Sequence, residues 1–217
     1  MMSNFMRVLF TVFLVMDPIG MIPVFLSHTE EFDNTTRKGI INKAVLIAGI
    51  VLFVFILTGK LLLKFFGIMP GSFYISGGIL FFVIAFGMIY SQPKLTRTIH
   101  PKKSGTAEGE DSEDRTGISI AIFPLAIPLI AGPGMLTVIV MFVSGGESWL
   151  GSVALLFPAI VINLLAVHFT LRCSVLVLKF LGSMGISIIE KIMGLILAGF
   201  SIQLVYDGLT ALSVIKL

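Results

Sequence analysis

The sequence predicts an all-α, polytopic membrane protein whose six transmembrane helices form two inverted three-helix repeats with broken first helices. Three observations carry this expectation. The 217-residue chain is 56% hydrophobic and only 12% charged, with a mean hydropathy of +1.04. Long charge-free blocks recur along it, and Pro/Gly-rich interruptions stand at matching places in its two halves. An ordinary soluble domain carries about 25% charged residues. Fifteen Lys and Arg with twelve Asp and Glu are too few to clothe a soluble domain of this size. The composition therefore excludes a typical soluble enzyme and a disordered chain. The net charge of +3 is no nucleic-acid footprint, because the basic residues form no stripe. A single cysteine, Cys173, excludes an intrachain disulfide and a cysteine-based zinc site, and reads as an inert thiol at a helix end.

Crossing a hydrocarbon core of about 30 Å takes about 20 apolar residues in a helix. The first span, near 4–27, is interrupted only by Asp17. An Asp-Pro in mid-segment and a lone Arg7 before it suit no cleaved signal peptide. The second, near 40–62, contains the charge-free run Ala44 to Gly59 and reaches full length if Lys60 and Lys64 snorkel to the interface. The third (70–90), fourth (118–143) and fifth (150–174) lie in the uncharged stretches Phe65–Pro93, Ile118–Gly146 and Ser148–Leu171. The sixth, near 189–212, is built on Ile192 to Tyr206 with Asp207 at the interface. Six crossings put both termini on one side. Eleven of the fifteen Lys and Arg fall on the opposite side, against Arg7, Lys60, Lys64 and Lys216 on the side of the termini. The positive-inside rule then makes the termini external and the 92–117 segment cytoplasmic. That segment is the one strongly polar stretch, with an acidic run at 104–115, and reads as a solvated linker, the alternative being a docking point for a regulator on the acidic run.

An internal repeat divides the chain into 1–91 and 118–217 around this linker. Asp17-Pro18-Ile19-Gly20-Met21-Ile22 aligns with Ala131-Gly132-Pro133-Gly134-Met135-Leu136 at an offset of 114. Leu63-Lys64-Phe65-Phe66-Gly67-Ile68-Met69 aligns with Leu178-Lys179-Phe180-Leu181-Gly182-Ser183-Met184 at 115, and Gly78-Ile79-Leu80 with Gly194-Leu195-Ile196 at 116. Each unit holds three spans, an odd number, so the second copy sits upside down relative to the first. Secondary transporters use this device to expose one central site alternately to either side.

The first span of each unit carries helix-breaking residues at its middle: Pro18, Gly20 and Pro23 in one, Pro124, Pro128, Gly132, Pro133 and Gly134 in the other. Five of the nine prolines lie there. Irregular backbone at that depth is tolerated only when buried in protein or lining a wet cavity. The alternative is that these residues merely kink the helices for packing. Read as a site, unwound N–H and C=O groups around Gly20 and Gly132 to Gly134 offer partners for a carboxylate and an ammonium, which suits a zwitterionic amino acid. The candidate substrate-binding residues are Asp17, Pro18, Gly20, Met21, Ala131, Gly132, Pro133, Gly134, Thr137 and Asn163. A carboxylate at the bilayer centre costs about 2.5–3.5 kcal/mol on insertion scales. Two readings of Asp17 therefore stand together: a proton- or cation-coupling group, and an N-cap with Pro18 in first position of a second half-helix. Asn163 and His168 are about 140° apart around their helix, so they do not share a face. The Thr137 and Ser76 hydroxyls reach either substrate or their own backbone. Gly77-Gly78 reads as close helix packing, Gln203 is a weak candidate, and Arg172, Lys179, Glu190 and Lys191 read as interfacial charges.

On Asp17-Pro18-Ile19-Gly20-Met21-Ile22-Pro23-Val24-Phe25 and Phe123-Pro124-Leu125-Ala126-Ile127-Pro128-Leu129-Ile130-Ala131-Gly132-Pro133-Gly134, the chain resembles the MarC-like family, also classed as neutral amino acid transporters. Arg37, Gly67 and Ser76-Gly77-Gly78-Ile79-Leu80 support the likeness, which covers nearly the whole chain. The resemblance implies a six-span inner-membrane protein that moves small neutral amino acids such as glycine and alanine. It implies no cofactor beyond a coupling proton or sodium ion. Partners are then the amino acids and membrane lipids, with a homo-oligomer left open and nucleic acid excluded. Two other classes remain in view, an exporter of drugs or hydrophobic metabolites and a non-transporting membrane scaffold. An enzyme is not expected, since no HExxH, Gly-x-Ser-x-Gly or paired catalytic aspartates are present.

Overall fold

A computed structural model of the chain describes residues 2–90, 118–145 and 148–214. The expected linker at 92–117, acidic run included, lies outside the described residues. Among those described, every regular element is helical: α1 (Met2–Met16), α2 (Met21–His28), α3 (Asn34–Phe65), α4 (Pro70–Tyr90), α5 (Ala121–Ile130), α6 (Pro133–Gly145), α7 (Trp149–Arg172) and α8 (Ser174–Ala211). Five stretches are long and apolar enough to cross a membrane: Asn4–His28, which contains α1 and α2, and then α3, α4, α7 and α8. The expected fourth span is divided into two shorter apolar helices, Ile118–Ile127 and Pro133–Ser144, both of which pack along α3.

Local chemistry sets the helix starts. Asp33 caps α3, its carboxylate accepting from the backbone N–H of Thr35 at 3.1 Å and Thr36 at 3.0 Å. Ser148 caps α7 by accepting from Gly151 N–H at 3.1 Å. Pro70 and Pro133 stand first in α4 and α6, where no intrahelical N–H is needed. The α2–α3 elbow is tied by Arg37, whose guanidinium donates to the carbonyls of Thr29 (2.8 Å) and Glu30 (3.1 Å). Pro158, by contrast, stays inside a helix in α7.

Two expected boundaries move. The second span runs to 34–65, and the sixth lies in the run Ser174–Ala211, whose two helical pieces meet at Gly182, ahead of the expected start near 189. Glu190 and Lys191, read from the sequence as interfacial, stand inside the α8 helix. This helix turns sharply at Gly182, where φ is +67°. Gly67, its partner in the internal alignment, has φ +66° in the α3–α4 turn. The left-handed region is easy only for glycine, which explains both choices.

α4 and α8 pack antiparallel along the most extensive seam in the molecule. Gly71, Gly78 and Ala85 recur every seventh residue on α4, facing Gly194, Ser201 and Gly208 with the same spacing on α8; all six are buried. The backbones touch. A Cβ added at Gly78 would stand 2.7 Å from the Ser201 carbonyl oxygen, and one at Gly194 would stand 3.2 Å from that of Ala85. At the offset of 116, Gly78 becomes Gly194 and Ala85 becomes Ser201, so the two contacts are one contact written twice. Three further pairings follow the same exchange: α1 and α2 lie on α7, α5 and α6 lie on α3, and α3 meets α7. The buried face of α3, including Ala44, Ala48, Leu52 and Ile56, joins the common core. Outward faces carry bare Phe, Leu and Ile, among them Phe65, Phe180, Leu61 and Leu195, as lipid contact requires.

Candidate functional site

Each first span is interrupted where the sequence places its breaking residues. α1 ends at Met16, and Asp17 takes a left-handed φ of +41°. Its N–H still donates to the Phe13 carbonyl at 3.0 Å, closing α1. Its own carbonyl accepts from Met21 N–H at 3.2 Å, and its Oδ1 accepts from Gly20 N–H at 3.1 Å. Asp17 therefore caps the turn through Pro18 that leads into α2. The cap reading is what the geometry displays, and it leaves the Gly20 N–H already occupied.

The second interruption is longer. Phe123 (φ −132°, ψ 124°) and Ile127 (φ −132°, ψ 119°) are extended inside α5. Each precedes a proline, whose ring clashes with a helical predecessor. Ala131 N–H reaches back to the Ala126 carbonyl at 2.8 Å, and the Gly132 carbonyl accepts from Leu136 N–H at 3.2 Å, starting α6. The first-turn N–H groups of Gly134 and Met135 lack intrahelical acceptors, as at any helix start.

The two interruptions adjoin. A Cβ on Gly134 would lie 3.2 Å from Val15 Cγ1 at the end of α1 and 2.7 Å from Phe81 Cε1 on α4. Phe81 is 0% exposed and closes over this junction. Pro18, Met21, Ala131, Gly132, Gly134 and Thr137 are buried there, Asp17 and Gly20 are half-buried, and Pro133 is exposed. Cavities of about 380 and 400 Å³ elsewhere in the molecule are lined by other residues. The burial of these residues and the close approach of Gly134 to Val15 and Phe81 make the junction tightly packed in this conformation.

The polar candidates divide accordingly. The Thr137 hydroxyl donates to its own helix at Pro133 O, 3.0 Å away, while its methyl packs on Gly77. Asn163, 2% exposed, donates from Nδ2 to the carbonyls of Ala159 (2.8 Å) and, across to α1, Leu9 (3.2 Å). His168 stands half-buried on another face, edge-on to Phe169. The Ser76 hydroxyl donates to Phe73 O at 3.0 Å. Gln203 donates to Asp207 at 2.7 Å.

Glu190, expected at the interface, stands half-buried within α8, among the apolar Ile188, Ile189, Ile192 and Met193 in sequence, and α8 touches α2.

An all-helical bundle with an apolar exterior, crossing-length helices and paired interruptions defines a polytopic integral membrane protein. The family model of MarC family integral membrane proteins matches residues 2–213. A UPF0056 membrane protein of Methanocaldococcus jannaschii is 35% identical over 92% of either chain. The UPF0056 membrane protein YvbG of Bacillus subtilis is 31% identical over 96% of this chain and 95% of its own. The UPF0056 inner membrane protein YhgN of Escherichia coli is 32% identical over 90% and 91%. No solved structure matches. The chain belongs to the MarC (UPF0056) family.

Proposed function

We propose that the protein is a secondary transporter of small neutral amino acids, glycine and alanine among them, working by alternating access at the junction of its two interrupted helices. The observation that carries this reading is the meeting of two breaks, one from each repeat unit, inside one bundle. The α4–α8 seam and the matched packing of α1–α2 on α7 and of α5–α6 on α3 support an inverted pair that rocks about that seam. The packed junction is then an occluded state. Opening exposes the α6 first-turn N–H groups to a substrate carboxylate, and the carbonyls that lose a donor to Pro124 and Pro128 to its ammonium. Asp17 supplies the coupling charge for a proton or sodium ion. No catalytic step and no cofactor enter the reading. The termini are assigned to the outside of an inner membrane and residues 92–117 to the cytoplasm.

Uptake of labelled glycine and alanine into proteoliposomes, under imposed proton or sodium gradients, tests the reading. Accumulation under one gradient is expected. Asp17→Asn keeps an acceptor for Gly20 N–H but no charge, so it should fold normally and lose gradient-driven accumulation. Amino acids that never accumulate under any gradient, with a hydrophobic drug moved instead, would leave the exporter. No flux at all would leave the scaffold.

A further inference from the structure

A cavity of about 380 Å³ opens at the bundle end where α1, α4 and α7 begin and α6 and α8 finish. Its size falls within the ordinary range of small-molecule sites, about 300–1,000 Å³. Arg7 from α1 and Asp207 from α8 both line it, as do the polar Asn4, Tyr74 and Ser152. Opposite charges sharing a cavity would ordinarily close into an ion pair. Here they do not: among the described residues Arg7 has no hydrogen-bond or ion-pair partner. Asp207 accepts only from Gln203, through Oδ1, leaving Oδ2 free among the described residues. The floor is fixed, because the Tyr74 hydroxyl donates to the Met141 carbonyl at 3.1 Å and ties α4 to α6. An unpaired cation and anion lining one cavity match a molecule that carries both charges.

We propose that this cavity is a second binding site, a vestibule for a free α-amino acid, with the Arg7 guanidinium taking the carboxylate and the Asp207 carboxylate the ammonium. It is separate from the helix junction, since none of the residues lining it belongs to either break. Its ligand class rests on the transport reading, but its location does not. The apolar remainder of the lining, Val8, Met141, Phe142 and Leu155, favours uncharged side chains. A phosphoethanolamine lipid headgroup carries the same pair of charges and is the competing source of this chemistry.

Equilibrium binding of labelled alanine to the purified full-length chain tests the site, with alaninamide, N-acetylalanine and phosphoethanolamine as competitors. The wild-type protein should prefer alanine over each by about tenfold or more, the worth of a charge-assisted contact. Arg7→Gln should weaken alanine by a similar factor and erase its advantage over alaninamide. Asp207→Asn should erase its advantage over N-acetylalanine. Arg7→Lys should recover part of the affinity. Alanine bound equally well by Arg7→Gln and Asp207→Asn overturns the vestibule, as does a wild-type preference for phosphoethanolamine or no alanine binding at all. Proteoliposome uptake separates the two ideas. Transport unchanged in both variants removes the vestibule and leaves the transporter. Binding with the expected pattern but no transport removes the transporter and leaves the vestibule.

Discussion

One methyl group at Gly78 should unsettle the bundle more than most single changes in it. In Gly78→Ala the new carbon would stand 2.7 Å from the Ser201 carbonyl oxygen, 2.7 Å from Val205 Cγ2 and 3.1 Å from Val205 N. Ordinary van der Waals contact needs more than half an ångström extra. Val205 Cγ2 can rotate away, but two of the three obstacles are backbone atoms of α8, so the helices must separate. Overpacking of this kind costs about 1–3 kcal/mol. The change also gains helix propensity, about 0.8–1 kcal/mol for Gly to Ala, which offsets part of the loss. A net destabilisation of about 0–2 kcal/mol follows from these two terms, and a gap of about 1–3 kcal/mol from control sites that gain the propensity without the clash. The same helices carry internal controls: Gly87 on α4 and Gly199 on α8 have no atom within 4 Å of an added Cβ. Gly87→Ala and Gly199→Ala should be neutral or slightly stabilising. Reversible unfolding in mixed detergent micelles reads all three on one scale. If Gly78→Ala matches its two controls, the seam does not hold the helices at backbone contact and the reasoning fails.

Two other changes probe the helix contacts and the elbow. Asn163→Leu removes the amide bonded to Leu9 and Ala159 but fills much the same space; it should cost about 1 kcal/mol, the usual net worth of a hydrogen bond between buried helices. A loss of transport with unchanged stability would instead give Asn163 a substrate role. Asp33 lies outside the membrane spans, and hydrogen bonds from Thr36 and then Thr35 pull its carboxyl down to about 2 from the usual 3.8. A depressed native value means the cap contributes fully above the unfolded value and is lost as pH falls through about 2. Amide exchange at Thr35 and Thr36 should therefore be insensitive to this cap above pH 5 and lose its protection only in strong acid, whereas in Asp33→Ala it is fast throughout. Protection lost near pH 4 would contradict the hydrogen-bonded carboxylate.

Much of this fold is legible because hydrocarbon imposes simple demands. Long runs such as Ile118–Gly146 and Ser148–Leu171 announce themselves by lacking charge, and the breaks by proline and glycine. Gly77-Gly78 was read as close packing, and Gly78 lies on the α4–α8 seam. Charge, however, was a poor guide to where the sixth helix begins. Glu190 is half-buried within α8, a burial set by tertiary packing that hydropathy does not encode. Proline was also ambiguous: Pro158 rides inside α7, whereas Pro124 and Pro128 each force an extended predecessor. The two differ in company, since two prolines four residues apart withdraw successive backbone bonds from the same helical stretch. Arg7 and Asp207 stand 200 positions apart in the chain, and no spacing rule links them across one cavity.

The left-handed backbone at Asp17 narrows what evolution or an engineer can install there. Aspartate, asparagine and glycine enter that region of conformational space with little penalty, while longer and branched side chains resist it. A glutamate, the swap most often treated as silent for an acid, would meet a strained main chain and overshoot the amide of Gly20. Acidity at this point in the protein is thus tied to one side-chain length, and drift is free only toward losing it.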